Sequence, residues 1–148
     1  MPVVMFSAFP LPPSALRLMF PEPLPSKRSW PRKFRDAFRG VREGVQSQSS
    51  FIVHFAMAIA VVVVAAVMGL ARVEWCILLT CITLVLTAEM FNSALESMAR
   101  AITGESNPHL GNALDIGSAA VLVAAVGASS VGLVVFVHRL GELAGWWN

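Results

Sequence analysis

Charged residues are scarce in this chain. Asp, Glu, Lys and Arg make up 14% of its 148 residues, whereas a typical soluble domain has about 25%. Its two cysteines exclude a disulfide-stapled fold. The sequence also lacks a phosphate-binding GxxxxGK[ST] loop and a dinucleotide fingerprint. Hydrophobic residues make up 56% and the mean hydropathy is +0.69, so the composition indicates a membrane protein.

Proline is concentrated at the amino end, where seven of the nine prolines fall within the first 28 residues. Because proline removes a backbone donor and stops helices, residues 1–28 are predicted to form a disordered tail. A secretory signal is the alternative, but Pro10, Pro12 and Pro13 interrupt its apolar core and Arg17 comes too late.

Residues 29–47 are predicted to form an amphipathic helix. Apolar side chains recur there at helical spacing, namely Phe34, Ala37, Phe38, Val41 and Val45. Basic side chains flank this stripe, namely Arg32, Lys33, Arg35, Arg39 and Arg42. Such a helix is typical of the membrane interface, with its apolar face in the lipid.

Three apolar stretches follow, each close to the roughly 20 residues that cross a bilayer. They predict transmembrane helices at about residues 51–70, 75–100 and 113–138. The fold class expected is therefore an all-α integral membrane protein with three transmembrane helices, preceded by the interfacial helix.

The basic residues predict the orientation. Eight of the eleven Lys and Arg precede the first span, and only Arg72 lies in the first link. The positive-inside rule then places the amino end in the cytoplasm and the carboxyl end outside.

The second span carries the most informative polar residues, Glu89, Asn92 and Glu96. On a helix they fall within about 60° of one another and form a stripe about 10 Å long. Carboxylates at membrane depth are costly unless paired or wetted, which indicates a functional site. The structural alternative is that Glu96 reaches the interface and Glu89 lies in a helix contact.

Asp115 is the other acidic candidate, at the start of the third span. It is either part of a site or a simple helix cap, and the sequence leaves both open.

These residues resemble a known family. The pattern ExxNSxxE at Glu89, Asn92, Ser93 and Glu96, followed by Asp115, is similar to that of the prokaryotic diacylglycerol kinases and the related undecaprenol kinases. The resemblance extends from about residue 33 to residue 140. Ser118 and its neighbours resemble the diacylglycerol kinases, whereas His54 and Pro108 resemble the undecaprenol kinases.

The resemblance implies a homotrimer whose sites are shared between subunits, with no nucleic-acid partner. It implies transfer of the γ-phosphoryl group of ATP, bound with Mg²⁺, to a membrane lipid. The acceptor is diacylglycerol or undecaprenol, at the cytoplasmic face of the bacterial inner membrane.

The resemblance also implies roles. Glu89 is the expected general base, and Asn92 a catalytic residue that orients the substrate or Glu89. Glu96 is expected to bind the metal and, with Asp115, the nucleotide. The lesser candidates are Gly40 for the nucleotide and Ser93 and Ser118 for the lipid.

Three positions depart from the family pattern. Gln48 stands where a second metal-binding carboxylate is expected, Leu114 where a phosphate-binding Lys is expected, and Arg100 where an acid is expected. We expect Arg100 to supply the missing positive charge to the nucleotide, and Gln48 to offer the metal only a carbonyl oxygen. A weakened or non-catalytic membrane protein is the alternative function, and a transporter that uses Glu89 is a third.

Overall fold

The computed structural model describes residues 29–47, 49–102 and 107–146, and within these ranges it contains helices and no β-strand. The helices are α1 (Trp30–Ser47), α2 (Ser49–Val67), α3 (Arg72–Ile102) and α4 (Pro108–Leu143). The predicted all-α class is therefore confirmed. The predicted tail, residues 1–28, and the predicted metal position Gln48 lie outside the described residues.

Helices α2, α3 and α4 are each long and apolar enough to cross a bilayer, over Ser50–Val67, Arg72–Ile102 and Pro108–Leu143. Only 11–17% of each apolar window is buried inside the chain, so most of the apolar surface faces outward, as a lipid environment requires. The chain is a membrane protein with three candidate spans.

By its contacts the chain divides into two units, Met1–Ala37 and Phe38–Asn148. Helix α1 crosses this division. Its aromatic side chains Trp30 and Phe34 in the first unit and Phe38 in the second are exposed, and Arg39 pairs with Glu43 at 3.8 Å. Phe34 and Phe38 belong to the stripe that the interfacial prediction placed in the lipid, whereas Trp30 was not part of it.

The turn between α2 and α3 depends on Gly69, whose φ of +63° favours glycine. The amide of Leu70 donates to the carbonyl of Ala65 at 3.2 Å, closing the end of α2. Arg139 of α4 donates from Nε to Met68 O at 3.0 Å and from Nη2 to Gly69 O at 2.9 Å. Beside this turn lies a buried apolar cluster, formed by Ala65, Leu70, Leu78 and Val135.

Helix α4 begins earlier than the sequence predicted. The Oδ1 atom of Asn107 accepts hydrogen bonds from the amides of His109 at 3.0 Å and Leu110 at 3.3 Å, and Pro108 occupies the first turn. The alternative interpretation of Asp115 as a helix cap is wrong, because Asn107 is the cap.

Candidate active site

Glu89 is the most completely buried large side chain in the described part of the protein, at 1% exposure. It lies within α3, about 20 Å from the carboxyl end of the helix at 1.5 Å per residue. Ser50, at the start of α2, donates a hydrogen bond from Oγ to Glu89 Oε1. A carboxylate buried among apolar helices needs such a donor. This contact leaves Glu89 Oε2 for another partner.

Sequence reasoning missed Ser50. A hydroxyl at the polar end of an apolar span has no distinguishing pattern. The available signal was that a buried acid in one helix requires a donor on a neighbouring helix.

Asn92 and Glu96 are joined along the same face of α3. Asn92 Nδ2 donates to Glu96 Oε1 at 3.1 Å, one helical turn away. The structure therefore brings the predicted stripe together as two hydrogen-bonded pairs, Ser50 with Glu89 and Asn92 with Glu96. The hydrogen bond of Asn92 is to Glu96, whereas the sequence-based expectation was that it would orient Glu89 or the substrate.

Helix α4 approaches this stripe closely at Gly117. A Cβ atom built on Gly117 would lie 2.6 Å from Asn92 Oδ1 and 3.1 Å from Leu95 Cδ1. A side chain at position 117 would require Asn92 and Leu95 to shift. Gly117 therefore sets the distance between α3 and α4 at the level of Asn92.

Two buried polar atoms lie beside this contact. Asn92 Oδ1 and Ser93 Oγ have no hydrogen-bond partner within the described ranges. Because buried polar atoms are usually satisfied, they are the atoms to which a ligand or another chain has most to contribute.

A cavity of about 320 Å³, the charged cavity, lies toward the carboxyl end of α3. Its lining consists of Glu96, Ala99 and Arg100 of α3 and Leu110 and Leu114 of α4. Arg100 Nη1 lies 3.6 Å from Glu96 Oε2, with the two side chains 61% and 28% exposed. Glu96 therefore faces Asn92 with one oxygen and Arg100 with the other.

The contacts described above do not include the remaining predicted residues. Asp115 and Ser118 are exposed on α4. Gly40 is half-buried on α1, with nothing within 4 Å of the position its Cβ would take.

Glu96 is the side chain best suited to hold a metal that accompanies a nucleotide. No group of three or more His, Cys, Asp and Glu side chains suited to a metal occurs among the residues described. Mg²⁺, however, is usually bound by one or two carboxylates together with substrate phosphates. Glu96 offers hard oxygens beside an open cavity, so the residues fit a metal delivered with phosphate.

An apolar groove of about 490 Å³ begins one helical turn from Glu89. All three membrane helices line it. Val85 and Leu86 of α3 and Val53 and His54 of α2 lie at the end near Glu89, and Phe136 of α4 at the far end. Along α3, the buried carboxylate of Glu89 therefore lies between the lining of the apolar groove and that of the charged cavity.

Sequence comparison with known proteins shows the family to which the chain belongs. The sequence model of the family described as prokaryotic diacylglycerol kinase matches residues 35–136. The chain is 31% identical over 109 residues to an undecaprenol kinase of Bacillus subtilis, covering 74% of this chain and 89% of that protein. It is 31% identical over 134 residues to a diacylglycerol kinase of Synechocystis, covering 82% and 77%. The chain therefore belongs to the prokaryotic diacylglycerol kinase family and is a membrane lipid kinase.

Proposed function

We propose that this chain transfers the γ-phosphoryl group of ATP to the hydroxyl of a membrane lipid, diacylglycerol or undecaprenol. The observation that carries the proposal is the position of Glu89. It is 1% exposed and lies on α3 between the apolar groove, whose lining begins one helical turn away, and Glu96, which lines the charged cavity and is about two turns away. A lipid chain that extends along the groove would bring its hydroxyl to this carboxylate, and phosphates that extend from the cavity would bring the γ-phosphorus to the same hydroxyl.

In this mechanism Glu89 is the general base. Ser50 donates to Oε1, and we assign the proton of the lipid hydroxyl to Oε2. The lipid oxygen bonds to the γ-phosphorus, the bond from the γ-phosphorus to the bridging oxygen breaks, and ADP leaves. Asn92 holds the carboxylate of Glu96 in place by its hydrogen bond.

Glu96 would hold the Mg²⁺ that accompanies the nucleotide. The ion would neutralise phosphate charge, on which phosphoryl transfer chiefly depends. We place Asp115 beside the nucleotide and Ser93 and Ser118 on the lipid side, with Gly40 and Gln48 as lesser nucleotide and metal contacts.

The orientation belongs to the same proposal. The excess of basic residues before α2 favours a cytoplasmic amino end. In a bacterial inner membrane this places Glu96 and Arg100, at the carboxyl end of α3, where cytoplasmic ATP reaches them.

We also propose that the enzyme is a homotrimer with sites shared between subunits. The orphaned Asn92 Oδ1 and Ser93 Oγ support a site that needs further groups. Co-expression of Glu89→Gln and Asp115→Asn, two variants expected to be inactive that alter different helices, tests this for a site that takes Glu89 from one subunit and Asp115 from the next. Shared sites predict that mixed oligomers regain activity, whereas sites within one subunit predict none.

The decisive experiment is phosphate incorporation from labelled ATP into diacylglycerol and undecaprenol, offered in parallel to the purified protein in phospholipid vesicles. We expect the wild type to label one acceptor and Glu89→Gln to abolish labelling. Glu74→Gln is the matched control, because Glu74 is an acid at the opposite end of the same helix. Equal signals from wild type and Glu89→Gln would support the alternative, a non-catalytic protein on the same scaffold, for which Leu114 in the charged cavity is the observation in favour.

A further inference from the structure

Arg100 is isolated in the sequence as a cation. It is the single Lys or Arg between Arg72 and Arg139, an interval that contains both acids of the α3 stripe. Because it lies in the last turn of α3, it is also favourably placed relative to the helix dipole. Any fixed positive charge that α3 and the first half of α4 bring to the site therefore comes from Arg100.

The ion pair between Arg100 and Glu96 is loose. The separation of 3.6 Å is longer than a hydrogen bond, and 61% of the Arg100 side chain is exposed. Exposed ion pairs contribute little to stability. Arg100 thus has little to lose by exchanging Glu96 for a more highly charged partner.

The cavity beside this pair suits a phosphate chain. Its polar groups come from one edge, Glu96 and Arg100, while Leu110 and Leu114 form the facing apolar wall. A guanidinium binds phosphate oxygens in a bidentate manner. A polyphosphate brought close to Glu89, Glu96 and Asp115 requires compensating positive charge.

We propose that Arg100 binds the phosphate chain of the nucleotide in this cavity, and that its ion pair with Glu96 is the arrangement that precedes nucleotide binding. When the nucleotide and its cation reach Glu96, the guanidinium exchanges the carboxylate for a phosphate oxygen. This inference rests on the proposed function and names the side chain that binds the phosphates of its nucleotide.

The facing wall provides a test of position. Because Leu114 lines the same cavity as Arg100, a lysine introduced there places a positive charge in the same space from the other helix. Arg72 is the matched control, since it is an exposed arginine at the opposite end of α3.

The experiment measures the Kd of the Mg²⁺ complex of a non-hydrolysable ATP analogue for the full-length protein in phospholipid nanodiscs. We expect Arg100→Ala to weaken binding about 10- to 100-fold, the range for one lost hydrogen bond to a charged group. Arg72→Ala should bind as the wild type does. The double variant Arg100→Ala/Leu114→Lys should regain at least part of the loss, and the wild-type affinity should fall more steeply with salt than that of Arg100→Ala.

Arg100→Gln serves in place of the alanine variant if that protein does not fold. Wild-type affinity in either variant would overturn the proposal, and an unrescued double variant would overturn the placement of the phosphates in this cavity. An assay of lipid phosphorylation distinguishes a failure of this inference from a failure of the proposed function. A wild type that binds the analogue but labels no lipid contradicts the proposed function alone. An active enzyme indifferent to Arg100 contradicts this inference alone.

Discussion

Ser50 and Glu89 connect two membrane helices through a hydrogen bond from a hydroxyl to a carboxylate. The bond ties the start of α2 to the part of α3 that carries the proposed general base. It holds the Glu89 carboxylate in one orientation relative to the start of α2. Ser50 is a positioning residue in this arrangement, since it acts through Glu89.

Replacing Ser50 by alanine should therefore lower kcat about 10-fold, which is roughly the value of one such hydrogen bond, with little change in KM for either substrate. Ser50→Thr keeps the hydroxyl and should restore most of the rate. Steady-state kinetics with the labelled-phosphate assay measure both. Ser130→Ala is the control, because Ser130 Oγ donates to its own helix at Val126 O.

A double variant distinguishes positioning from a general structural effect. If Ser50 acts only by positioning Glu89, then Ser50→Ala leaves the affinity for the ATP analogue unchanged, both alone and when added to Glu89→Gln, in which no rate remains to be measured. A weakened affinity in either background, or an unchanged kcat in Ser50→Ala itself, would contradict the assigned role.

Gly117 should not tolerate even a methyl group. A Cβ there meets Asn92 Oδ1 at 2.6 Å, so Gly117→Ala must displace Asn92 or separate α3 from α4. Overpacking of this kind costs about 1–3 kcal/mol and also disturbs the contact between Asn92 and Glu96. We expect a lower thermal unfolding midpoint in detergent and a reduced kcat.

Gly127 supplies the matched comparison on the same helix. Nothing lies within 4 Å of the position its Cβ would take. Gly127→Ala should therefore be neutral or stabilise the helix by up to about 1 kcal/mol. Equal unfolding midpoints for the two variants would show that α4 does not approach α3 at Gly117 as closely as described.

The membrane fold could be predicted from the sequence because its signals are local and strong. Long apolar runs specify the spans, and basic side chains around an apolar stripe specify α1. The ends of the helices were less accessible. The apolar pattern placed the start of the third span near residue 113, whereas the cap at Asn107 and the proline after it begin the helix earlier.

Part of the candidate site could likewise be predicted from the sequence and part could not. Glu89, Asn92 and Glu96 share a face of one helix, so their grouping follows from spacing alone. The contacts of Ser50 with Glu89 and of Gly117 with Asn92 join residues of different helices. Such contacts depend on the distance and rotation between packed helices, which no local pattern in one sequence specifies. The cavity that Arg100 and Leu114 share could not be predicted for the same reason, since it lies between two helices.

Arg139 should matter for stability and not for phosphoryl transfer. It donates to Met68 O and Gly69 O in the turn after α2, and its Nη1 lies 2.7 Å from Glu142 Oε2. Arg139→Ala leaves these carbonyls without their side-chain donor, which we expect to cost about 1–3 kcal/mol of unfolding free energy.

Arg139→Lys should recover only part of this stability, because an ammonium cannot reach two carbonyls and a carboxylate with the geometry of a guanidinium. Denaturant unfolding in detergent measures both variants, with kcat recorded below the unfolding range. A loss of kcat in fully folded Arg139→Ala would contradict a purely structural role. An unchanged unfolding midpoint would show that the hydrogen bonds of Arg139 do not stabilise the fold.

The apolar groove can be tested with two alanines on one helix. Ala58 lines the groove and is half-buried, whereas Ala60, two residues further along α2, is exposed on another face. If the groove holds the hydrocarbon chain of the acceptor, a phenyl ring at position 58 takes part of that space. Ala58→Phe should then raise KM for the lipid about 10-fold, equivalent to about 1.4 kcal/mol, and leave KM for ATP unchanged.

Ala60→Phe adds the same ring outside the groove and should alter neither constant. Equal effects of the two substitutions on lipid KM, or an effect on ATP alone, would place the acceptor chain elsewhere, because only one of these rings enters the groove next to Glu89.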